Sequence, residues 1–464
     1  MSADGRCVRY YCTAGGGMHT FLAHELKRKL RATEVEHIPG RVFFRCSSDL
    51  QEVMQLKSAE RLFLLLSRAP PISLPKNPAK ASHVIQQSIV GDPDNWRHAL
   101  FTWNLLQVEI RHAQARSLKR KRDVEEDKGE GGVSCAAGSE RAHTHLGTPE
   151  GTHDAPAHRH QGGGNVPAQA APTFRISCRC SGAVARHYSS QNLSRIIGVA
   201  VARELGWKPD LREPTLEVHV YLSDDHSVIG IPLIRHPLAS RRYMKHTGLR
   251  STVAWAMTSL CPMKEASVIL DPMCGVGTIL LEAAQECAHA VFIGMDTEEG
   301  QLQKAVENVD TAAIPLPTAS VDVVLCDVPF GRKFSCSVDM PAALPRILAE
   351  MERVLCEGGC LIILLSLQLS AQMKKLVNSN ALTPQSQMTE LDKDPQGKSR
   401  GLGMQGPEHS WGTDELALSS LQLQNIHRVS LGSSDGIIHT YTKIQTLKHT
   451  HANTHTHDET MSTS

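Results

Sequence analysis

The sequence carries almost no net charge, because 49 lysines and arginines nearly balance 48 aspartates and glutamates over 464 residues. Affinity for an anionic polymer must therefore come from local patches, and the bulk composition does not indicate nucleic acid. The 13 cysteines include no C-x-x-C pair. Their odd number and scattered positions favour reduced thiols in an intracellular compartment, and no metal site is predicted, since structural zinc needs two such pairs.

Long hydrophobic runs are also missing. No stretch approaches the length of a membrane span, and the first residues lack the apolar run of a secretory signal. We therefore expect a soluble nuclear, cytoplasmic or organellar protein without membrane contact. With 41% hydrophobic residues, the chain is long enough for two or three domains of about 150 residues each.

Residues 1–110 predict a small N-terminal ferredoxin-like domain. The hydrophobic pattern indicates strands at Val8–Cys12 and Arg41–Cys46, and helices at Thr20–Leu30 and Leu50–Leu66. The resulting β-α-β-α order is typical of an α+β fold.

Residues 111–172 predict a disordered linker, because the apolar pattern gives way to Gly, Ala, His, Glu and Arg. The basic run Lys119–Arg122 matches a nuclear import signal. It is equally consistent with a solvated charge run beside the acidic Glu125–Asp127.

Residues 173–236 predict a second compact α+β unit, with strands in FRISCRCSG and LEVHVYLSD around a helix at Ser189–Leu205. Residues 237–445 then alternate strands and helices, which indicates a doubly wound parallel sheet. Its candidate strands VILDP, AVFIGMD, VDVVLCD and CLIILLS are continuously apolar, as strands buried on both faces are.

The end of the chain adds three predicted features to this sheet. A polar, Ser- and Gln-rich segment at 371–425 predicts a disordered insertion, and His427–Ile444 predicts a hairpin around Ser-Ser-Asp-Gly. The His- and Thr-rich tail at 446–464 predicts disorder, with metal binding as the alternative.

The most specific motif follows the strand VILDP. A glycine-rich turn there opens a helix, so that a ligand can approach bare backbone and the positive end of the helix dipole. Leu280 stands where a dinucleotide fingerprint needs its third glycine, which argues against a bound pyrophosphate. Asp271 suits the amino group of a methionine moiety, and Asp296, 25 residues later, suits ribose hydroxyls.

This pattern favours S-adenosylmethionine over NAD or ATP, and the alternative is a plain strand-turn-helix. The predicted cofactor-binding residues are Asp271, Pro272, Cys274, Gly275, Gly277, Thr278 and Asp296.

The strand VDVVLCD runs directly into a second motif, Asp327-Val328-Pro329-Phe330. In an open parallel sheet this position faces the ligand crevice. The Asp327 carboxylate and the Val328 carbonyl can accept the two N–H groups of an exocyclic base amine, while Phe330 offers a face for stacking. These four residues are the predicted catalytic site, and the alternative is an Asp-x-Pro turn with a buried Phe.

Together these motifs resemble the THUMP-domain RNA methyltransferases, which have a class I (Rossmann-like) catalytic domain. DPMCGVGTILLEAA resembles the family's cofactor motif, DVPF its D/N-P-P-F/Y motif, and residues 173–236 its THUMP module. The runs CTAGGGMHTFLAHEL and LKSAERLFLLL are also similar to family members, and His246–Thr252 resembles the element that precedes their sheet.

The resemblance implies methylation of guanosine N2 in structured RNA, with U6 small nuclear RNA as substrate in the nucleus. It also implies a small activating subunit homologous to tRNA methyltransferase 112. Arg175, Arg179 and Arg186 are hypothetical phosphate contacts on the RNA-binding module, although single arginines are often only solvated surface. A tRNA guanosine methyltransferase in the cytoplasm, a non-catalytic RNA-binding protein and a protein glutamine methyltransferase remain alternatives.

The sequence departs from the family pattern at two places. Val328 replaces the second-position proline, which a role for the backbone carbonyl tolerates. Between a helix at Glu298–Val309 and the strand at Val321, only VDTAAIPLPTAS remains, which is too short for a further strand and its crossover. We therefore expect the sheet to lack one edge strand and the adenine pocket to be weakened.

Overall fold

The computed structural model describes the following residues: 7–127, 171–241, 243–244, 246, 248–261, 263–296, 316–329, 339–378, 418, 420–432 and 434–445. Several predictions lie outside them in whole or in part. These are most of the linker at 111–172 and of the insertion at 371–425, the helix at Glu298–Val309 with the missing strand that follows it, the stacking residue Phe330, and the tail at 446–464. None of the helices in the described ranges combines the length and the hydrophobicity that a membrane span requires.

The N-terminal half of the chain builds one eight-stranded sheet in the order β2-β3-β1-β4-β8-β7-β5-β6. Its strands are β1 (Val8–Thr13), β2 (Thr33–Ile38), β3 (Arg41–Cys46), β4 (Arg61–Ala69), β5 (Thr173–Cys180), β6 (Lys208–Pro209), β7 (Leu216–Leu222) and β8 (Ser227–Pro232). Its helices are α1 (His19–Leu30), α2 (Leu50–Val53), α3 (Pro78–Ile85) with a π-helical turn at Gln86–Val90, α4 (Pro93–Asp127), α5 (Gly182–Ala185) and α6 (Ser190–Leu205).

The helices pack on one face of this sheet because its strands alternate in burial. Along β7 every second residue is buried, from Leu216 to Leu222. These side chains share a core with Leu22 and Leu26 of α1 and with Ile197 of α6. Local signals fix the helix ends: the Ser189 hydroxyl accepts a hydrogen bond from the Asn192 N–H at the start of α6, and Gly206 ends α6 in a left-handed conformation.

Three sequence predictions for this half need correction. The two predicted α+β units share a single sheet, because β4 pairs antiparallel with β8. The helix predicted at Leu50–Leu66 ends at Val53, and its apolar second part forms β4 between β1 and β8. Helix α4 extends to Asp127 into the predicted linker, since its buried Leu106 and Ile110 anchor a run of good helix formers.

The C-terminal half builds the expected doubly wound sheet, in the order β10-β9-β11-β12-β14-β13. Its strands are β9 (Val268–Asp271), β10 (Val291–Gly294), β11 (Val321–Asp327), β12 (Leu355–Ser366), β13 (Leu421–Ser430) and β14 (Asp435–Lys443). Its helices are α7 (Ser251–Ser259), α8 (Thr278–Glu286), α9 (Met340–Val354) and α10 (Leu367–Asn378). Strands β9 to β12 pair in parallel, whereas β14 is antiparallel to both β12 and β13.

The predicted hairpin is confirmed, with Ser430 opposite Asp435 at its turn. The boundaries of the predicted insertion at 371–425 are wrong at both ends. Helix α10 continues to Asn378 because Met373 packs in the core, and β13 begins at Leu421, whose side chain is also buried.

The two halves are packed against each other through α1. Met18 and Phe21 share a hydrophobic cluster with Trp255 of α7 and Val429 of β13. Gly17 lies so close to β13 that an added Cβ would stand 1.8 Å from the Arg428 carbonyl oxygen. The N-terminal sheet is therefore held directly on the C-terminal half.

Candidate active site

The switch point of the C-terminal sheet lies between β9 and β11. After β9 the chain adds β10 on one side, and it later adds β11 on the other side of β9. Ligands of open parallel sheets bind at such a point, outside the carboxyl ends of the strands. Asp271 ends β9 and Asp327 ends β11, so both predicted motifs border this crevice.

Asp271 is buried at the base of the crevice, with 1% of its surface exposed. Its Oδ1 accepts a hydrogen bond of 3.2 Å from the Met273 N–H. Burial raises the pKa of this carboxyl well above its usual range, and the nearby charges of Asp327 and Asp296 add to the effect. Three predicted acidic residues therefore meet at one edge of the sheet.

The glycine-rich turn follows Asp271 and the buried Pro272. Gly275 and Gly277 both adopt left-handed backbone conformations, with φ of +52° and +77°. The Gly275 N–H donates to Asp296 Oδ2 at 2.7 Å, and the Cys274 N–H donates to the Met295 carbonyl at 2.7 Å. Among the described residues other than its chain neighbours, no atom lies within 4 Å of the position that a Cβ of Gly275 would occupy, so open space borders bare backbone here.

Thr278 begins helix α8, and 3% of its surface is exposed. Its hydroxyl accepts a hydrogen bond of 3.1 Å from the Gly248 N–H. The segment that precedes the sheet is thereby fixed on the turn. This contact could not be found from the sequence, because 30 residues separate its two partners.

These residues fit S-adenosylmethionine. Carboxylates at Asp271 and Asp296 can accept hydrogen bonds from an amino group and from ribose hydroxyls. The open backbone at Gly275 leaves room for a nucleoside beside the start of α8. Among the described residues, no group of three or more His, Cys, Asp or Glu could hold a metal ion.

In the second motif, the side chain of Asp327 is half-buried and the side chain of Val328 is fully buried. Burial raises the pKa of Asp327 to about 7. The Val328 side chain packs into the core, and its N–H donates to the Leu364 carbonyl at 3.2 Å. Val328 therefore fills a buried position and donates a main-chain hydrogen bond that a proline could not donate, and Pro329 follows in a half-buried position.

Sequence reasoning missed two acidic residues on α8, Glu282 and Glu286. Glu282 is fully buried, and its Oε1 accepts hydrogen bonds of 2.9 Å from both Arg241 Nε and the Tyr243 hydroxyl. Glu286 accepts from Trp255 Nε1 at 2.8 Å and from Lys29 of α1 at 3.3 Å. Their spacing of four residues placed them on one helix face, but no local signal pointed to these distant partners.

The fold and the crevice define a class I methyltransferase domain joined to an RNA-binding-type α+β module. A model of the RMKL-like methyltransferase domain matches residues 239–309 and 295–389, and a THUMP domain model matches residues 154–231. The chain is 37% identical to the U6 snRNA (guanine-N(2))-methyltransferase THUMPD2 of Bos taurus, over 94% of this chain and 96% of the bovine protein. The Homo sapiens protein of the same name is 34% identical over the same shares.

Solved structures show the same fold. TrmN from Thermus thermophilus has a TM-score of 0.57 at 18% identity, covering 94% of this chain and all of TrmN. The putative methyltransferase SMU.472, complexed with SAH, has a TM-score of 0.53 at 12% identity, covering 95% of this chain and 100% of that protein. The chain belongs to the THUMP-domain RNA methyltransferase family with an RMKL-like catalytic domain.

Proposed function

We propose that the chain is an S-adenosylmethionine-dependent methyltransferase that modifies the N2 amine of a guanosine in U6 small nuclear RNA. The observation that carries this proposal is the similarity to the U6-modifying relatives over 94% of the chain. The crevice between Asp271 and Asp327 supplies a chemical site consistent with that reaction.

Four parts of the crevice would hold the cofactor. Asp271 would accept hydrogen bonds from its amino group, and Asp296 from its ribose. The backbone of Gly275 and Gly277 would lie along the cofactor, next to Thr278 at the start of α8. When bound, S-adenosylmethionine supplies an activated methyl group. Pro272 and Cys274 shape the turn from its buried side.

Asp327 would act on the base. An exocyclic amine is a poor nucleophile because its lone pair is delocalised into the ring. An ionised Asp327 carboxylate and the Val328 carbonyl would accept its two N–H groups and orient the lone pair, so that most of the acceleration is positioning. Pro329 would favour a turn of the backbone after Val328. Stacking of the base on Phe330 stays a prediction.

Mass spectrometry of nucleosides tests this proposal. A U6 transcript incubated with the chain, its activating subunit and labelled S-adenosylmethionine should gain N2-methylguanosine. Asp327→Ala should abolish the product while cofactor binding is retained. Unchanged activity of Asp327→Ala would exclude the catalytic assignment, and a methylated tRNA with an unmethylated U6 transcript would replace the proposed substrate.

The same experiment distinguishes the proposed function from two others. The tRNA (guanine(6)-N(2))-methyltransferase THUMP3 of Mus musculus is 32% identical but aligns with only 40% of this chain, so the longer match favours U6. A non-catalytic RNA-binding protein would bind RNA and yield no methylated nucleoside with any substrate.

We also propose that the adenine pocket lacks one wall. The 12 residues VDTAAIPLPTAS, with two prolines, are too few for the edge strand and its crossover. Calorimetry should then show S-adenosylmethionine binding more weakly than about micromolar, because one side of the ring would face solvent. Micromolar or tighter affinity would contradict a damaged pocket.

Two proposals concern the setting of the protein. The family resemblance supports a small activating subunit homologous to tRNA methyltransferase 112, which co-expression followed by affinity purification would test. The basic run Lys119–Arg122 supports import into the nucleus. A fluorescent fusion in which these four residues are replaced by Ala should then become cytoplasmic.

A further inference from the structure

Helix α7 is buried on all sides at the junction of the two halves. Every residue from Ser251 to Thr258 is at most 3% exposed. The helix shares one hydrophobic cluster with Met18 and Phe21 of the N-terminal half and with Ile269 of β9. The start of a helix in this setting depends on partners elsewhere in the protein, because its first N–H groups have no acceptor within the helix.

The start of α7 is not capped by its own residues. Arg250 occupies the N-cap position without a side-chain cap, and the first turn contains no acidic residue. Glu60, which directly precedes β4 in the N-terminal half, supplies a carboxylate instead. Its Oε1 accepts a hydrogen bond of 3.2 Å from the Thr252 hydroxyl and lies 3.3 Å from the Arg250 guanidinium. A negative charge stabilises this end of a helix, so Glu60 fixes the start of α7 from the other half of the chain.

Glu60 is itself held by the N-terminal sheet. Its N–H donates to the carbonyl of Thr13, the last residue of β1, at 2.9 Å. Its carbonyl accepts from the Ala239 N–H at 3.4 Å, and its side chain is only 20% exposed. The end of β1 therefore sets the position of the carboxylate, and the carboxylate sets the position of α7.

The residues just before α7 contact the glycine-rich turn. We call Gly248–Thr252 the entry segment. At one end of this segment, the Gly248 N–H donates to the Thr278 hydroxyl at 3.1 Å, and a Cβ on Gly248 would lie 3.5 Å from the Val276 side chain. At its other end, Thr252 is bonded to Glu60. Because the segment is short, a shift at Thr252 is passed on to Gly248 and so to the turn.

A second carboxylate joins the halves at the far end of α8. Glu286 accepts from Trp255 Nε1 at 2.8 Å and pairs with Lys29 of α1 at 3.3 Å. Helix α8 has nine residues, so Glu286 at its end lies about 12 Å along the helix from Thr278 at its start. Of these two carboxylates, Glu60 is the one that the entry segment connects to the glycine-rich turn.

We propose that Glu60 is a positioning residue for the cofactor. Its carboxylate holds the entry segment on the glycine-rich turn, so that the N-terminal half contributes to the affinity for S-adenosylmethionine. This inference rests on the proposed function for the cofactor but not for the RNA. It gives the N-terminal half a task in the chemical site that is separate from any contact with the substrate.

Hydrogen–deuterium exchange tests the contact in the full chain without cofactor. Glu60→Gln keeps the size of the side chain but removes its charge, so the peptide that contains Gly248 should exchange about threefold faster or more. Glu286→Gln is the matched control, because it makes the same change at the other link between the halves. It should leave exchange at Gly248 as in the unaltered chain. Equal exchange of this peptide in the two variants would overturn the proposal.

Calorimetry measures the consequence for the cofactor. Glu60→Gln should raise the Kd for S-adenosylmethionine about fivefold or more, and Glu286→Gln by less than about twofold. In methyl transfer, Glu60→Gln should raise the KM for S-adenosylmethionine and leave the KM for RNA within about twofold. An unchanged Kd for Glu60→Gln would overturn the proposal. If the unaltered chain binds no S-adenosylmethionine, the proposed function fails together with this role of Glu60, whereas binding without methylation of U6 rejects only the RNA.

Two further variants separate positioning from stability, each compared at a temperature at which circular dichroism shows the chain to be folded. Thr252→Val removes the hydroxyl that donates to Glu60 and keeps its shape, so it should raise the Kd even if Glu60→Gln does not fold. Thr278→Val removes the bond to Gly248, and adding Glu60→Gln to it should raise the Kd by less than about twofold more. An unchanged Kd for Thr252→Val, or effects that multiply fully in the double variant, would overturn the route through the entry segment.

Discussion

Replacement of Arg241 by methionine should destabilise the chain by about 3–5 kcal/mol. The Arg241 side chain is 4% exposed and pairs at 2.9 Å with Glu282, which is fully buried. The same guanidinium donates to the carbonyl oxygens of Leu238 and Lys57. Methionine fills a similar volume but leaves a buried carboxylate uncompensated, which costs more than the pair itself contributes. A loss of this size is a large part of a typical stability of about 5–15 kcal/mol.

Urea unfolding followed by tryptophan fluorescence measures this effect. Trp255 reports on the affected region, because its Nε1 is bonded to Glu286, one turn along α8 from Glu282. Arg97→Met is the matched control, since its ion pair with Asp94 is 61% and 79% exposed and should contribute less than about 1 kcal/mol. A loss below about 1 kcal/mol for Arg241→Met would refute the reasoning.

The double variant Arg241→Met with Glu282→Met identifies the cause. Removing both charges abolishes the uncompensated carboxylate, so the double variant should be more stable than Arg241→Met alone. If the loss of stability in the double variant equals the sum of the losses in Arg241→Met and Glu282→Met measured separately, lost packing rather than buried charge dominates at this position. The Tyr243 hydroxyl keeps its bond to Glu282 in Arg241→Met and loses it only in the double variant, so this lost bond reduces the expected recovery.

Two further predictions concern pH and the contact between the halves. Because the pKa of Asp327 is raised to about 7 and its ionised form is the acceptor, kcat/KM should rise with pH through about 7, whereas Asp327→Asn, which keeps a carbonyl acceptor, should give a flat profile. The native state also holds this proton between about pH 4 and 7, so stability should fall as pH rises across that window, and less so in Asp327→Asn. Gly17→Ala should lower the melting temperature far more than Gly206→Ala: both have positive φ, but only Gly17 faces a backbone oxygen at 1.8 Å. Equal melting temperatures would contradict the tight contact with β13.

The carboxyl edge of the catalytic sheet was predictable because its signals are local. Strands buried on both faces are continuously apolar, and each ends in an acidic or glycine-rich motif within a few residues. The structure brings Asp271, Asp296 and Asp327 to one crevice, as those patterns indicate. The switch point then follows from strand order, which short crossover connections strongly constrain.

The N-terminal sheet was less predictable because its pairing is long-range. The run Arg61–Ala69 is apolar and rich in leucine, which suits a helix as well as a strand. Its long-range pairing with β1 and with β8 decides for a strand, and the pairing with β8, more than 150 residues later, merges two units into one sheet. Likewise, nothing near Glu282 in the sequence indicates that Arg241 will neutralise it.

Helix α8 connects the chemistry to the rest of the molecule. Its first turn follows Gly277 in the cofactor crevice, and two of its glutamates contact the N-terminal half. Glu286 pairs with Lys29 of α1, and Glu282 pairs with Arg241, whose guanidinium also donates to the Lys57 carbonyl. RNA that contacts the N-terminal half would therefore be held relative to Asp327 by these hydrogen bonds and ion pairs and not by a loose linker. Since positioning supplies most of the acceleration in methyl transfer to an amine, weakening Arg241 should lower kcat for RNA even where the crevice itself is intact. An Arg241→Met chain that remains folded and retains full kcat would mean that the RNA is positioned by the crevice alone.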